Sequence, residues 1–319
     1  MIDQSVRRSI AATLAYFDLF DFPLTALEVY QYLWQAPSIS LAQCQDVLTA
    51  MMAQTPATIA SQDGWFFLAG REAVVAARQR RVVYSEFYLL KARAVARLLR
   101  YIPFIRSVCV ANSVGRETAT GTSDIDLVIL CAPGRVWWVR FWCNTLLRLT
   151  GQRVSKNSTA GKVCLCFFAD TDHLDLGEYR VAQDDIHFCY WLYQMHPVYD
   201  PRGWYAKFLA ANTWSHLLLP NARGNFVPLF VPMLSDSYLS HRLRRAGQYV
   251  CGGTLGKLLE RSLRLLQMRL LRPAIIAKAQ ARGTDVVLAA GVIKLHDYDT
   301  RREWRERWVG KLAEFRSSN

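Results

Sequence analysis

The stretch Asn112-Ser113-Val114-Gly115-Arg116-Glu117-Thr118-Ala119-Thr120-Gly121-Thr122-Ser123-Asp124-Ile125-Asp126-Leu127-Val128-Ile129 decides how the rest of the chain is read. Asp124 and Asp126 stand two apart at the entry of an apolar run, where strand periodicity sends both carboxylates to one face. Two carboxylates side by side repel unless a cation lies between them, and hard oxygen donors suit Mg2+. Leu127 to Leu130 then run apolar into a core and fix the pair at the strand's entry. Upstream, an apolar strand over 107–111 ends at Ala111, and Asn112-Ser113 makes the turn into a short helix. Backbone N–H groups at such a turn, with the Ser113 hydroxyl, suit triphosphate oxygens, and Arg116 stands where it would assist. The plain alternatives are a solvated strand entry for the Asp pair, a surface salt bridge for Arg116 and helix capping by Ser113.

Outward from this stretch, strand and helix alternate. Strands are expected over 107–111, 125–131 and 163–168, with a Trp-rich helix over 136–149 closed by Gly151. That pattern is an α/β (mixed α+β) core. In the Trp-rich helix, Trp137, Trp138, Phe141 and Trp142 are spaced as core residues, with base stacking as the alternative.

At these residues the chain resembles the polymerase-β-type nucleotidyltransferase superfamily. That family's signature is an apolar residue, Gly, then Gly or Ser, a spacer, and Asp-apolar-Asp/Glu. Here Ser113 and Asp124 are separated by ten residues, and Asp124-Ile125-Asp126-Leu127 fills the second half. Arg116 in the spacer and Ser123 before the first Asp are similar to many bacterial members, and the run over 134–141 with the flanking N-terminal segment resembles a little-characterised bacterial subgroup. The resemblance implies a nucleotidyltransferase core with a small mixed sheet. It assigns Asp124 and Asp126 to catalysis and metal, and Asn112, Ser113 and Arg116 to the nucleotide. It implies Mg2+ as cofactor and an NTP as substrate. Two positions depart from the pattern. Asn112 replaces the usual Gly, and Asn tolerates positive φ better than most residues. The family also carries a third carboxylate on a later strand, but 163–168 has none, and Asp170 and Asp172 follow it closely.

The flanks read differently. Residues 5–17 are expected to be helical, and Phe22-Pro23 ends that run. Thr25 caps a helix over 26–34, with Glu28 in capping-box position, and Ser40 opens another through Met52. Two β-type runs, 57–60 and 65–68, flank Ser61-Gln62-Asp63-Gly64, and Asp-Gly is a strong hairpin signal. Three helices and a hairpin are the order of a winged helix, expected over 1–70. This segment carries two basic and six acidic groups, and its third helix starts without a single Lys or Arg. Duplex DNA affinity depends on neutralising phosphates, so a structural or protein-contacting role is favoured over DNA reading.

Residues 71–106 read as a basic helical linker, 107–180 as the nucleotidyltransferase core, and 181–319 as a mostly helical C-terminal region. Pro-containing breaks fall at 197, 201, 220, 228 and 232. A long helix is expected over 254–281, with Lys257, Arg261 and Arg264 opposite Leu255, Leu259, Leu263, Leu266 and Leu270. Its basic face is either solvated or held against an anionic partner or membrane surface. Trp304, Trp308 and Leu312 dock a last helix that starts at Thr300 with a capping box.

The net charge of +13 over 319 residues is carried by 71–106 and by the C-terminal hundred residues, while 107–219 balances ten against ten. Eight cysteines without a CxxC pair, no apolar run of spanning length and no export signal point to a cytoplasmic protein with no membrane span. The expected activity is Mg2+-dependent transfer of an NMP from an NTP to a hydroxyl on RNA, a protein or a small molecule. A degenerate domain that binds nucleotide or a partner without turnover is the first alternative. A winged-helix DNA-binding regulator is the second.

Overall fold

Capping chemistry places the N-terminal elements. The computed structural model describes residues 2–155, 157–222, 231–281, 283–295 and 298–317. It begins with α1 (Ile2–Asp18), β1 (Leu24–Thr25), α2 (Ala26–Gln31) and α3 (Leu41–Met52). Thr25 and Ser40 each close a reciprocal capping box, with Glu28 and Gln43, so two orphan N–H groups are satisfied at each helix start. Asp63 and Gly64 take φ of 53° and 80°, the left-handed pair a two-residue hairpin needs. They join β2 (Ile59–Gln62) to β3 (Trp65–Leu68), and β1 pairs with the other edge of β3.

Next comes α4 (Ala73–Leu99), whose basic residues are partly structural. Arg78 is buried, donates to Glu28 at 2.5 Å and Glu117 at 3.1 Å, and lies over the rings of Phe22 and Trp65. It thereby ties the N-terminal elements to the residue that follows Arg116. Removing one partner from such a buried pair costs about 3–5 kcal/mol, so this Arg is a clamp rather than a solvated charge.

The central layer follows: β4 (Ile105–Ala111), α5 (Asn112–Gly115), β5 (Ile125–Cys131), α6 (Val136–Leu149) and β6 (Val163–Asp170). After these come α7 (Ile186–Gln194), β7 (His196–Tyr199), α8 (Trp204–Ala211), α9 (Thr213–Leu218), α10 (Tyr238–Val250), α11 (Gly253–Leu270) and α12 (Pro273–Gln280). The chain ends with β8 (Val286–Leu288), β9 (Val292–Leu295) and α13 (Arg301–Ser317). The larger sheet has the order β7-β4-β5-β6-β9-β8, with β5 and β6 parallel and the other pairs antiparallel. The molecule is thus mixed α/β.

One expectation gains detail and one needs correction. The region after 181 also supplies three strands, β7 on one side of the sheet and β9 with β8 on the other. Pro197 sits in β7, where an edge strand tolerates its missing donor. The long helix expected over 254–281 is two helices. Arg272 is extended at ψ 139° and Pro273 begins α12, because the residue before a proline avoids the helical region. The break expected at Pro228 lies outside the described residues.

Both faces of the sheet are covered. Val108, Val110, Leu127, Ile129 and Phe168 pack toward α4 and α6, where Trp137 and Trp138 are buried as core. Cys109, Ala111, Val128, Leu130 and Phe167 share the other core with α7 and the N-terminal helices. There Tyr16 stacks on Tyr190, whose hydroxyl donates to the Tyr32 carbonyl at 2.7 Å. The last helix docks as expected: Trp308 is buried, donates to the Ala12 carbonyl at 2.9 Å and meets Trp34 edge-on. Its neighbour Lys311 reaches buried Asp18, which also receives Arg71. All eight cysteines are free, and no described helix is long and apolar enough to cross a membrane.

Trp308→Ala removes a large buried ring and a hydrogen bond that join the two ends of the chain. Denaturant unfolding should show a loss of roughly 3–5 kcal/mol, whereas truncating exposed Trp142 should cost under about 1 kcal/mol.

Candidate functional site

The site is assembled where β4 ends and β5 begins. Antiparallel pairing sets Ala111 opposite Asp126, so the turn that leaves β4 lies beside the carboxylates that enter β5. Asn112 takes φ 54°, the left-handed conformation expected of it, and α5 starts there. Gly115 is required at the end of this turn. A Cβ on it would lie 2.8 Å from the Val110 carbonyl oxygen and 2.9 Å from that of Gln194.

Asp124, Asp126 and Cys164 bring their ligand atoms within 4.8 Å of one another. Asp126 is buried, and burial together with the Asp124 charge pushes its carboxyl up to about 6, against the pull of the Asn112 amide and of Cys164 and Cys166. Asp124 is also raised by burial, which the charge of Arg153 partly offsets. Burial pushes the Cys164 thiol up to about 12, so it is a neutral donor to Asp126 rather than a thiolate ligand. The oxygen donors that remain fit Mg2+, which is held by one or two carboxylates and completes its shell with water and substrate phosphates.

The third carboxylate is not where Asp170 or Asp172 would supply it. Across the parallel pair Asp126 faces Cys164, whereas Asp170 faces Cys131, five residues along and roughly 16 Å away. Asp170 instead accepts from the Gly134 N–H at 2.9 Å and pairs with His173 at 2.6 Å. Among the described residues, Cys164 alone joins the Asp pair.

Beside the turn lies a cavity of about 480 Å3, a volume typical of small-molecule sites. Asn112, Ser113 and Arg116 line it, together with Lys294, Arg301 and His187, and its aromatic walls include Phe20, Trp191 and Trp304. Asp124 and Asp126 do not line it; Asn112 stands between. The Asn112 side chain is committed to position: its oxygen accepts from Trp191 Nε1 at 3.0 Å while its amide supports Asp126.

Arg116 is the most informative wall residue. It is buried, donates from Nε to Gln194 Oε1 at 3.1 Å, has Nη2 3.4 Å from His187 Nε2, and lies over the Phe20 ring at 4.2 Å. No described carboxylate pairs with it, so the surface salt bridge is replaced by a buried cation without a counter-ion. Burial, with Arg116 and Arg301 nearby, holds His187 well below its usual range, so it is neutral. Lys294 and Arg301 share Asp299 at 2.8 and 2.6 Å, and Arg301 also reaches Asp185 at 3.0 Å. Sequence reasoning missed His187, Trp191, Gln194, Lys294 and Arg301, which no local motif marks. Trp304 was expected only to dock its helix, and it both stacks on His187 and walls the cavity.

None of the family models, curated proteins or solved structures compared with this chain matches it.

The Asp126 shift carries a stability consequence. A carboxyl whose pKa is raised on folding, from 3.8 to about 6, makes the folded state bind more protons in that window. Without metal, stability therefore falls as pH rises through it, and the loss persists above. Asp126→Asn should raise stability at pH 8 by on the order of 2–3 kcal/mol and leave it unchanged below pH 4, as read by urea unfolding with chelator present.

Proposed function

We propose that the chain is a Mg2+-dependent nucleotidyltransferase that moves an NMP from an NTP to a hydroxyl acceptor. The observation that carries the reading is the convergence on one turn of the Asp124–Asp126 pair and an aromatic cavity with a buried, carboxylate-free Arg116. Asp124 and Asp126 would hold the ion. Mg2+ bound there supplies charge neutralisation for the triphosphate. The Ser113 hydroxyl and the turn's N–H groups would hold phosphate oxygens, and Arg116 would give them a counter-charge. The aromatic walls offer faces on which a base stacks. The acceptor oxygen forms its bond to the α-phosphorus as the bond to pyrophosphate breaks, and the hydroxyl proton leaves to solvent or to the carboxylate pair. RNA, protein side chains and small molecules all remain acceptors of the right chemistry.

Cys164 at the register position beside Asp126 favours a second reading, a nucleotide-binding module without turnover. A duplex-DNA regulator gains no support, since α3 contains no Lys or Arg. A winged-helix role in contacting protein remains the reading for the N-terminal elements.

Incubating the full chain with labelled NTPs, Mg2+ and cell extract should label an acceptor. Converting both Asp124 and Asp126 to Asn should abolish that label and Mg2+-dependent NTP binding; unchanged binding would show the site to be misplaced. Arg116→Gln should weaken NTP binding by roughly 10–100-fold, the worth of a hydrogen bond to a charged group. If the wild type binds but labels nothing, Cys164→Asp should raise Mg2+ affinity by restoring a third oxygen donor.

A further inference from the structure

The chain from 237 to 272 holds eight cations and one acid, Glu260. That acid is turned inward: its two oxygens accept the backbone N–H groups of Trp137 and Trp138 at 2.8 and 2.9 Å and cap α6. The outer surface of α10 and α11 therefore bears cations without acids.

It also bears leucine. In α10 the inward face is Ser240, Arg244 and Gly247, the last against Pro103. Leu239, Leu243 and Val250 point outward, and Tyr249 is 91% exposed. In α11 the inward face is Gly256, Glu260 and Gln267, which leaves Leu258 and Leu265 each 62% exposed. Leu266 and Leu270, which the sequence pattern set opposite Lys257, Arg261 and Arg264, also lie open. Two consecutive amphipathic helices thus present apolar side chains interleaved with Arg242, Lys257, Arg261 and Arg269.

A second feature adjoins α10. Arg106, Arg202, His241, Arg244 and Arg245 line one narrow cleft, a notch of about 20 Å3. Arg244 is neutralised by Asp236 at 2.5 Å, but no described carboxylate reaches Arg106, Arg202 or Arg245. Burial and the neighbouring Arg202 and Arg244 lower the pKa of Arg106, as expected of cations gathered without a counter-ion. The cleft lies at the Ile105 end of β4, and Asp126 lies at the Ala111 end, roughly 20 Å away. It is a separate feature from the nucleotide cavity.

We propose that α10 and α11 form a docking surface for an anionic membrane, with exposed Arg202 and Arg245 at the rim of the notch meeting lipid phosphates. Charge and apolarity together select this occupant. A second copy of the chain would bring the same cations against these. A nucleic acid would use the cations and gain little from Leu243, Val250, Leu258 and Leu265. The interface of an anionic bilayer rewards both, with arginines at the headgroups and leucines at the acyl boundary. The chain rests on the surface without crossing it.

Flotation of the full chain with vesicles tests this. It should bind vesicles of phosphatidylcholine mixed with phosphatidylglycerol, bind phosphatidylcholine alone weakly, and release at high salt. Leu243→Gln with Val250→Gln should lower the partition roughly tenfold or more. Each of Arg202→Gln and Arg245→Gln should lower it roughly fivefold. These positions are exposed or line the cleft, and unchanged melting by circular dichroism confirms folding. The proposal is overturned by equal binding to neutral vesicles, by no vesicle binding, or by leucine variants that bind like the wild type. It is also overturned if the same variants abolish self-association or RNA binding while vesicle binding is lacking.

Discussion

The antiparallel pairing of β4 with β5, which seats Ala111 opposite Asp126, is the constraint on which the site depends. It joins two positions fifteen residues apart in sequence, one at the end of a strand and one at the start of the next. A slip of one residue would turn Asp126 into the apolar layer of Leu127 and Ile129 and bring those leucine-like side chains to the turn. Register is held because both faces are buried: Val108 and Val110 face one core, Cys109 and Ala111 the other. The apolar pattern of two ordinary strands therefore fixes the position of a polar pair that opposes its own burial. Asn112, held by Trp191 and supporting Asp126, carries that constraint from the backbone to the carboxylates.

The cavity has a different origin. Its walls come from the end of α1, the turn after β4, α7, β9 and the start of α13. No contiguous stretch builds it, and it exists because the N-terminal and C-terminal helices share one core across Trp308, Trp34 and Tyr190. The three-helix segment is thus part of the scaffold that holds Phe20 over Arg116. Such packing agrees better with a structural role for that segment than with one exposed to DNA.

This division explains what was legible from residues alone. The capping boxes at Thr25 and Ser40, the Asp63-Gly64 turn, the strand at 125–131 and the positive φ of Asn112 are local, so spacing and residue type announce them. β7, β8 and β9 span four, three and four residues inside a region of helical pattern, one with a proline, and too few positions exist for a period to show. The split at Pro273 was missed because apolar spacing continued across it. Cys164 looked like one more buried thiol until the parallel register set it beside Asp126. Arg116 stands at the turn as its spacing implied, but its burial depends on Gln194 and His187, 78 and 71 residues on.

The chain's positive charge resolves into three uses with different energetics. Arg78, Arg244 and Arg301 are buried and paired, so they stitch elements together and leave little field outside. The other cations of α10 and α11 are exposed, and each is weak alone because salt screens it. Arg116 belongs to neither group. A buried guanidinium with only neutral partners is costly, and burial of charge is tolerated where a counter-ion arrives with the ligand. It lies at the turn, one residue beyond the glycine that closes it, and the same turn leaves the strand end that faces Asp126. An anion that satisfies Arg116 and a cation that satisfies the two carboxylates would each relieve the charge that the other leaves exposed, which is the electrostatic reason to expect them to bind together.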